Sequence, residues 1–124
     1  MSRREIPVNA WASELDGFSR QHEGWIVTVR VVGEDGTSRI AARDLPLRGV
    51  AAVDSGRPDL VVTVGNAGDH VVHQIPRAAS VVIDETPDGI QRALIVDGPD
   101  STTMVEFRSP KRPEEVDGLP HHER

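Results

Sequence analysis

Hydrophobic and polar positions alternate most regularly from Trp25 to Gly33. There Trp25, Val27, Val29 and Val31 fall on one face and Ile26, Thr28, Arg30 and Val32 on the other. A period of two carried by β-branched side chains predicts a strand. Upstream the period changes. Trp11, Leu15 and Phe18 stand at i, i+4 and i+7, one apolar stripe of a helix running from about Ala10 to His22. Asn9 is its expected N-cap, and Glu23-Gly24 its stop, with Gly24 supplying a left-handed backbone. Gly17 inside the helix costs about 1 kcal/mol relative to alanine, so packing of the stripe must hold it. The polar stretch before the helix, Met1 to Val8, reads as a short lead-in.

Shorter apolar runs follow. Strands are expected over Thr37–Arg43, Val50–Asp54, Leu60–Val64, His70–Ile75, Ser80–Asp84, Ile90–Val96 and Thr102–Arg108. Between them lie Asp35-Gly36, Asn66-Ala67-Gly68, Pro87-Asp88-Gly89 and Asp97-Gly98-Pro99-Asp100, each with turn chemistry. Turn signals at this spacing mark an antiparallel sandwich or barrel. The predicted fold is therefore mainly β (α+β): an N-terminal helix packed on an antiparallel sheet of seven or eight strands. That sheet is partly or fully closed as a barrel, and a two-sheet sandwich is the alternative. One domain is expected over residues 1–109. Residues 110–124, with Pro110, Pro113 and Pro120 among charges, are expected to be a flexible polar tail.

Composition narrows the function more than it names one. A chain of 124 residues buries enough surface for a core without staples. It holds no cysteine, which removes disulfides, thiolate nucleophiles and cysteine zinc sites. No apolar run reaches membrane-spanning length, and no secretory leader pattern follows the basic opening. No membrane contact and a cytoplasmic location are expected. A net charge of -6 and only four aromatic residues argue against a nucleic-acid partner, which would need a basic stripe or a stacking platform.

Five side chains are candidates for a ligand site. His22 and Trp25 meet where the helix gives way to the first long strand, and such a joint is a natural pocket position. Arg43, Asp44 and Arg48 surround the rigid Leu45-Pro46-Leu47 turn. Their guanidinium groups suit anions, although a plain Arg–Asp surface pair is the simpler reading. His22, in the last helical turn, would favour the helix C-terminus when protonated. His70 and His73 stand three apart on a strand and so point to opposite faces, which denies them a shared metal. No phosphate loop, HExxH or GxSxG motif is present. No catalytic residue, no metal and no cofactor are assigned.

Several segments carry a likeness beyond pattern. FSRQHEGWIVTV (Phe18 to Val29), ARDLPLRGV (Ala42 to Val50), GDHVVHQIP (Gly68 to Pro76) and VEFRSP (Val105 to Pro110) resemble, in that order and spacing, domain of unknown function 5335. That small bacterial family implies one compact domain in an intracellular bacterial setting and carries no activity to transfer.

Counting faces gives the remaining expectation. Val61 opposes Leu60, Val62 and Val64, while Val71 and Val72, Val81 and Val82, and Leu94 and Ile95 are doubly apolar pairs. One helix cannot cover so many strands, and uncovered apolar patches mark association surfaces. A homodimer on the outer face of the Leu60–Asp84 strands is expected, against the plainer reading of scattered surface valines. The leading functional expectation is a non-catalytic binding or assembly module acting on an unknown protein partner. The rival is a small enzyme or small-molecule sensor at the joint around His22, Trp25 and Arg43.

Overall fold

The computed structural model describes residues 2–54, 58–66 and 68–108. Strands β1 (Ser2–Ile6), β2 (Ile26–Gly33), β3 (Ser38–Asp54), β4 (Pro58–Asn66), β5 (Asp69–Ile75), β6 (Ser80–Glu85), β7 (Gln91–Asp97) and β8 (Ser101–Phe107) form one antiparallel sheet. Helix α1 (Trp11–His22) lies between β1 and β2 in the chain. The spatial order is β1-β6-β7-β8-β2-β3-β4-β5, so β1 and β5 are the two edges and the sheet does not close into a barrel. It curls all the same. His73 Nε2 on β5 lies 3.4 Å from Thr103 Oγ1 on β8, although three strands separate them in the sheet. In a flat sheet that separation would be about 19 Å at the usual strand spacing. The result is the sandwich-like alternative, two halves facing one core.

The bend sits in β3, which sequence punctuation divides into two strands. Its first half pairs with β2 and its second with β4. Register shifts occur against β2 around Ala41 and Arg43-Asp44, and against β4 between Leu47 and Gly49. Asp44 takes a positive φ of 52°. Bulges of this kind bend a strand and sharpen its twist, and the shift at Arg48 turns both Leu47 and Val50 inward, each at most 2 % exposed.

Where β3 leaves β2, α1 takes over as its neighbour. Gly24 N–H donates to the Leu47 carbonyl, and Leu47 N–H to that of Trp25, at 2.8 Å each. One turn further, Val50 N–H donates to Ser19 Oγ at 2.8 Å, and the Ser19 hydroxyl lies 3.0 Å from the Val50 carbonyl and 2.7 Å from that of Leu15. A serine thus substitutes for a strand partner. Ser19→Ala strips the Val50 amide of its acceptor and should lower stability by about 1–3 kcal/mol. A denaturant midpoint equal to the parent's would contradict that role.

Trp11, Leu15 and Phe18 are buried together as their spacing predicts, joined by His22. The core they enter contains Val81, Ile83, Leu94 and Val96 from one half of the sheet and Leu47, Leu60, Val62 and Val64 from the other. Trp11 Nε1 donates to the Ile6 carbonyl at 2.8 Å, tying the helix start to β1. That anchor, with the short 3-10 turn Val8–Ala10, sets the helix start. Asn9 lies inside the turn, and Ala10 stands at the N-cap without a side-chain bond. The lead-in reading of residues 1–8 is likewise corrected: Ser2–Ile6 pairs with β6 from Glu85 to Val81. Gly17 has open space where a Cβ would sit, so Gly17→Ala should raise stability by about 0.5–1 kcal/mol, read as a higher melting temperature. The expected tail, residues 110–124, lies outside the described residues.

Candidate functional site: the helix–strand joint and the open edge

His22 and Trp25 do come together. Gly24, at φ +87°, turns the chain out of α1, and Trp25 N–H donates to the His22 carbonyl at 3.0 Å. The His22 imidazole then lies in an aromatic box. It stacks on Phe107 at 4.8 Å with the planes 23° apart, meets Trp25 edge-on at 4.7 Å and Phe18 at 4.5 Å. Phe107, the last residue of β8, comes from the far end of the sequence. Only 2 % of His22 is exposed. Its Nδ1 lies 2.8 Å from the Phe18 carbonyl, and since a carbonyl can only accept, Nδ1 carries the proton.

Burial pushes the His22 pKa below its ordinary 6.5, and the Phe18 bond only partly offsets this. The expected charged cap at the helix end is therefore a neutral ring in the core. Burial, aided by the Arg39 charge, lowers the pKa of His73 as well. Below pH 6.5 the unfolded chain takes up protons that the folded chain refuses. Stability is thus full above that pH and falls as pH drops from 6.5 toward the folded values. Denaturant titrations between pH 7.5 and 5.5 should show the decline, and His22→Phe should reduce its slope. An unchanged slope in the variant would contradict the buried neutral assignment.

The arginine corner is not gathered at this joint. Arg43 and Asp44 occupy the exposed β3 bulge, and Arg48 is exposed at the next one. Thr28 Oγ1 lies 3.4 Å from Asp44 Oδ1 and accepts the Asp44 amide at 3.3 Å. Ion pairs among the described residues include Arg4 with Glu14 and Glu85, Arg20 with Asp16 and Arg30 with Glu106, and none joins Arg43 or Arg48 to Asp44, so the expected Arg–Asp surface pair is not formed. Arg48 instead borders an open groove of ≈ 380 Å³ with Asp16, Ser19 and Thr63. A second groove, of ≈ 210 Å³, runs between α1 and the β1–β6–β7 end, lined by Arg4, Glu14, Phe18 and Gln91. The buried Gln91 Oε1 and Asp84 Oδ1 have no hydrogen-bond partner among the described residues.

The histidines of β5 diverge as alternation requires. His70 is exposed, while His73 is half-buried beside Thr103. The surprise lies in the strand around them. Val72 is 50 % exposed and Val71 39 %, whereas outward-facing Val61 and Val82 are half-buried and Ile95 is 8 % exposed. Val8 and Val53 are also exposed, at 58 % and 44 %, but they stand apart on the 3-10 turn and on β3, whereas Val71 and Val72 are adjacent on one edge strand. The sequence offers Val71 and Val72 as one of several doubly apolar pairs, and only the strand order singles out β5 as an edge.

The two edges are unlike. Edge strands avoid stray pairing by carrying charges, proline or bulges. In β1, Arg3, Arg4 and Glu5 stand on the strand and Pro7 follows it. In β5 the one formal charge is Asp69 at its start, and its register with β4 is unbroken; Pro76 follows it as Pro7 follows β1.

The model of a family of unknown function, DUF5335, matches residues 2–116, which include every described element. The chain belongs to that family. Neither a curated protein nor a solved structure matches it significantly. Among the described residues of this DUF5335 chain, no helix is long and apolar enough to cross a membrane.

Proposed function

We propose that this DUF5335 protein is a non-catalytic binding or assembly module that acts through protein contacts, in the cytoplasm of a bacterium. The observation that carries the reading is the contrast between its edges: β1 has three charges along its length, whereas β5 has one, Asp69 at its start, and presents the exposed Val71 and Val72. An unpaired row of backbone N–H and C=O groups flanked by apolar side chains is the ordinary substrate of strand addition. The absence of cysteine suits a reducing compartment.

The test is a photo-crosslinking amino acid placed at Val72 in cells that make the protein, with the same probe at exposed Ala12 on α1 as reference. Light-dependent protein adducts specific to position 72 are expected. Equal yields at the two positions would contradict the reading.

A further inference from the structure

We propose that β5 pairs antiparallel with β5 of a second copy of this chain, on a two-fold axis passing through Val72. The proposal rests on the binding reading above and names its partner. It comes from tracing where each backbone group points.

The peptide groups of Leu47 bond to Gly24 and Trp25, and those of Val50 bond to Ser19. All of these partners lie on the side of β3 away from β4. The pairs Leu47–Val64 and Val50–Val62 are therefore the non-hydrogen-bonded pairs of the β3–β4 ladder. Val62 and Val64 must then direct their own groups toward β5, where they face His73 and Val71. In β5 the odd-numbered residues are consumed by β4. His70, Val72 and Gln74, all exposed, direct their N–H and C=O groups out of the edge.

A two-fold antiparallel pair must match outward groups with outward groups, which an axis at any residue from His70 to Gln74 does. An axis at Val71 sets Gln74 against Gly68, outside the strand, and one at His73 sets His70 against Pro76. An axis at His70 sets two imidazoles against each other near the strand's end. An axis at Gln74 sets Val72 against Pro76, which has no N–H to give. An axis at Val72 uses all three outward residues: Val72 faces its own copy, and His70 faces Gln74 on both sides. The side chains agree. On the outer face an apolar pair is flanked by two neutral hydrogen-bonding pairs, and Asp69 meets Ile75 of the other copy, so no like charges are opposed. A register that satisfies backbone parity, side-chain polarity and the position of Pro76 together supports a second copy as the occupant.

The full chain contains no cysteine, so single thiols report cleanly. A hydrogen-bonded antiparallel pair holds its α-carbons about 5.5 Å apart, within disulfide reach of about 4.4–6.8 Å. Under mild oxidation at micromolar concentration, Val72→Cys should become covalently dimeric at least about tenfold faster than Ala12→Cys, as expected of a thiol held beside its partner. The parent should scatter light as twice its 13.5 kDa mass, and Val72→Lys should give the monomer mass with its melt intact. Equal oxidation rates, a monomeric parent, or a dimer that survives Val72→Lys would each overturn self-pairing. A monomeric parent whose position 72 still crosslinks a different protein overturns self-pairing and leaves the binding reading standing.

Discussion

Phe18→Ala should lower stability by about 3–5 kcal/mol, the range found for large aromatic side chains removed from a core. Phe18 is 4 % exposed and contacts both His22, at 4.5 Å, and Phe107, at 5.8 Å. It also forms the wall between the core and the groove lined by Arg4, Glu14 and Gln91. Truncation would leave the His22–Phe107 stack uncovered on that side and open the groove inward. A domain of this size holds on the order of 5–15 kcal/mol in total, so the loss is a large share of the whole. It should appear as a melting temperature lower by more than about 10 °C. Phe18→Leu keeps most of the apolar contact and should fall between the two. A Phe18→Ala melt that overlays the parent's would remove α1 from the core.

Gly65→Ala should be nearly as damaging, and for a different reason. Gly65 has φ +107°, where side chains are strained, and an added Cβ would lie 2.7 Å from the Asp69 carbonyl oxygen and 2.9 Å from His70 Cα. Both obstacles are backbone, so neither can swing aside. Strain of about 1–2 kcal/mol and overpacking of about 1–3 kcal/mol together forecast a loss of about 2–5 kcal/mol, centred on the β4–β5 turn. Gly36→Ala is the matched control. Its φ is +87° but a Cβ there meets nothing within 4 Å, so it should cost only the backbone strain. Equal melting temperatures for the two variants would show that the close approach at Gly65 relaxes freely.

What was legible in the sequence is what local periodicity encodes. The α1 stripe, the alternation of β2 and the β7–β8 hairpin are each set by neighbours within a few residues. β1 was not legible: Ser2–Ile6 is polar because it is an edge, and its partner β6 lies about eighty residues away. β3 reads as two strands because bulges and Pro46 break its pattern, although its backbone continues through them. Closure was undecidable for a related reason, since it depends on whether β1 meets β5, and no local signal reports that. At the joint, the sequence places His22 beside Trp25, but Phe107 arrives from the other end of the chain and turns a charged cap into a buried neutral ring. Arg43, Asp44 and Arg48 cluster in sequence and stand on separate bulges in space. The exposed β5 edge is the same lesson in reverse: Val71 and Val72 are one doubly apolar pair among several, and strand order alone leaves that pair uncovered.

Residue-resolved amide exchange along β5, followed as protein concentration is raised, tests the central claim most directly. At low concentration the amides of Val71 and His73, bonded to β4, should be protected, and those of His70, Val72 and Gln74 should exchange rapidly. As concentration rises into the micromolar range, protection should appear at His70, Val72 and Gln74 together while the odd-numbered positions stay as they were. Uniform protection along β5 at every concentration, or an alternation that no concentration alters, would contradict an open edge that pairs with its own copy.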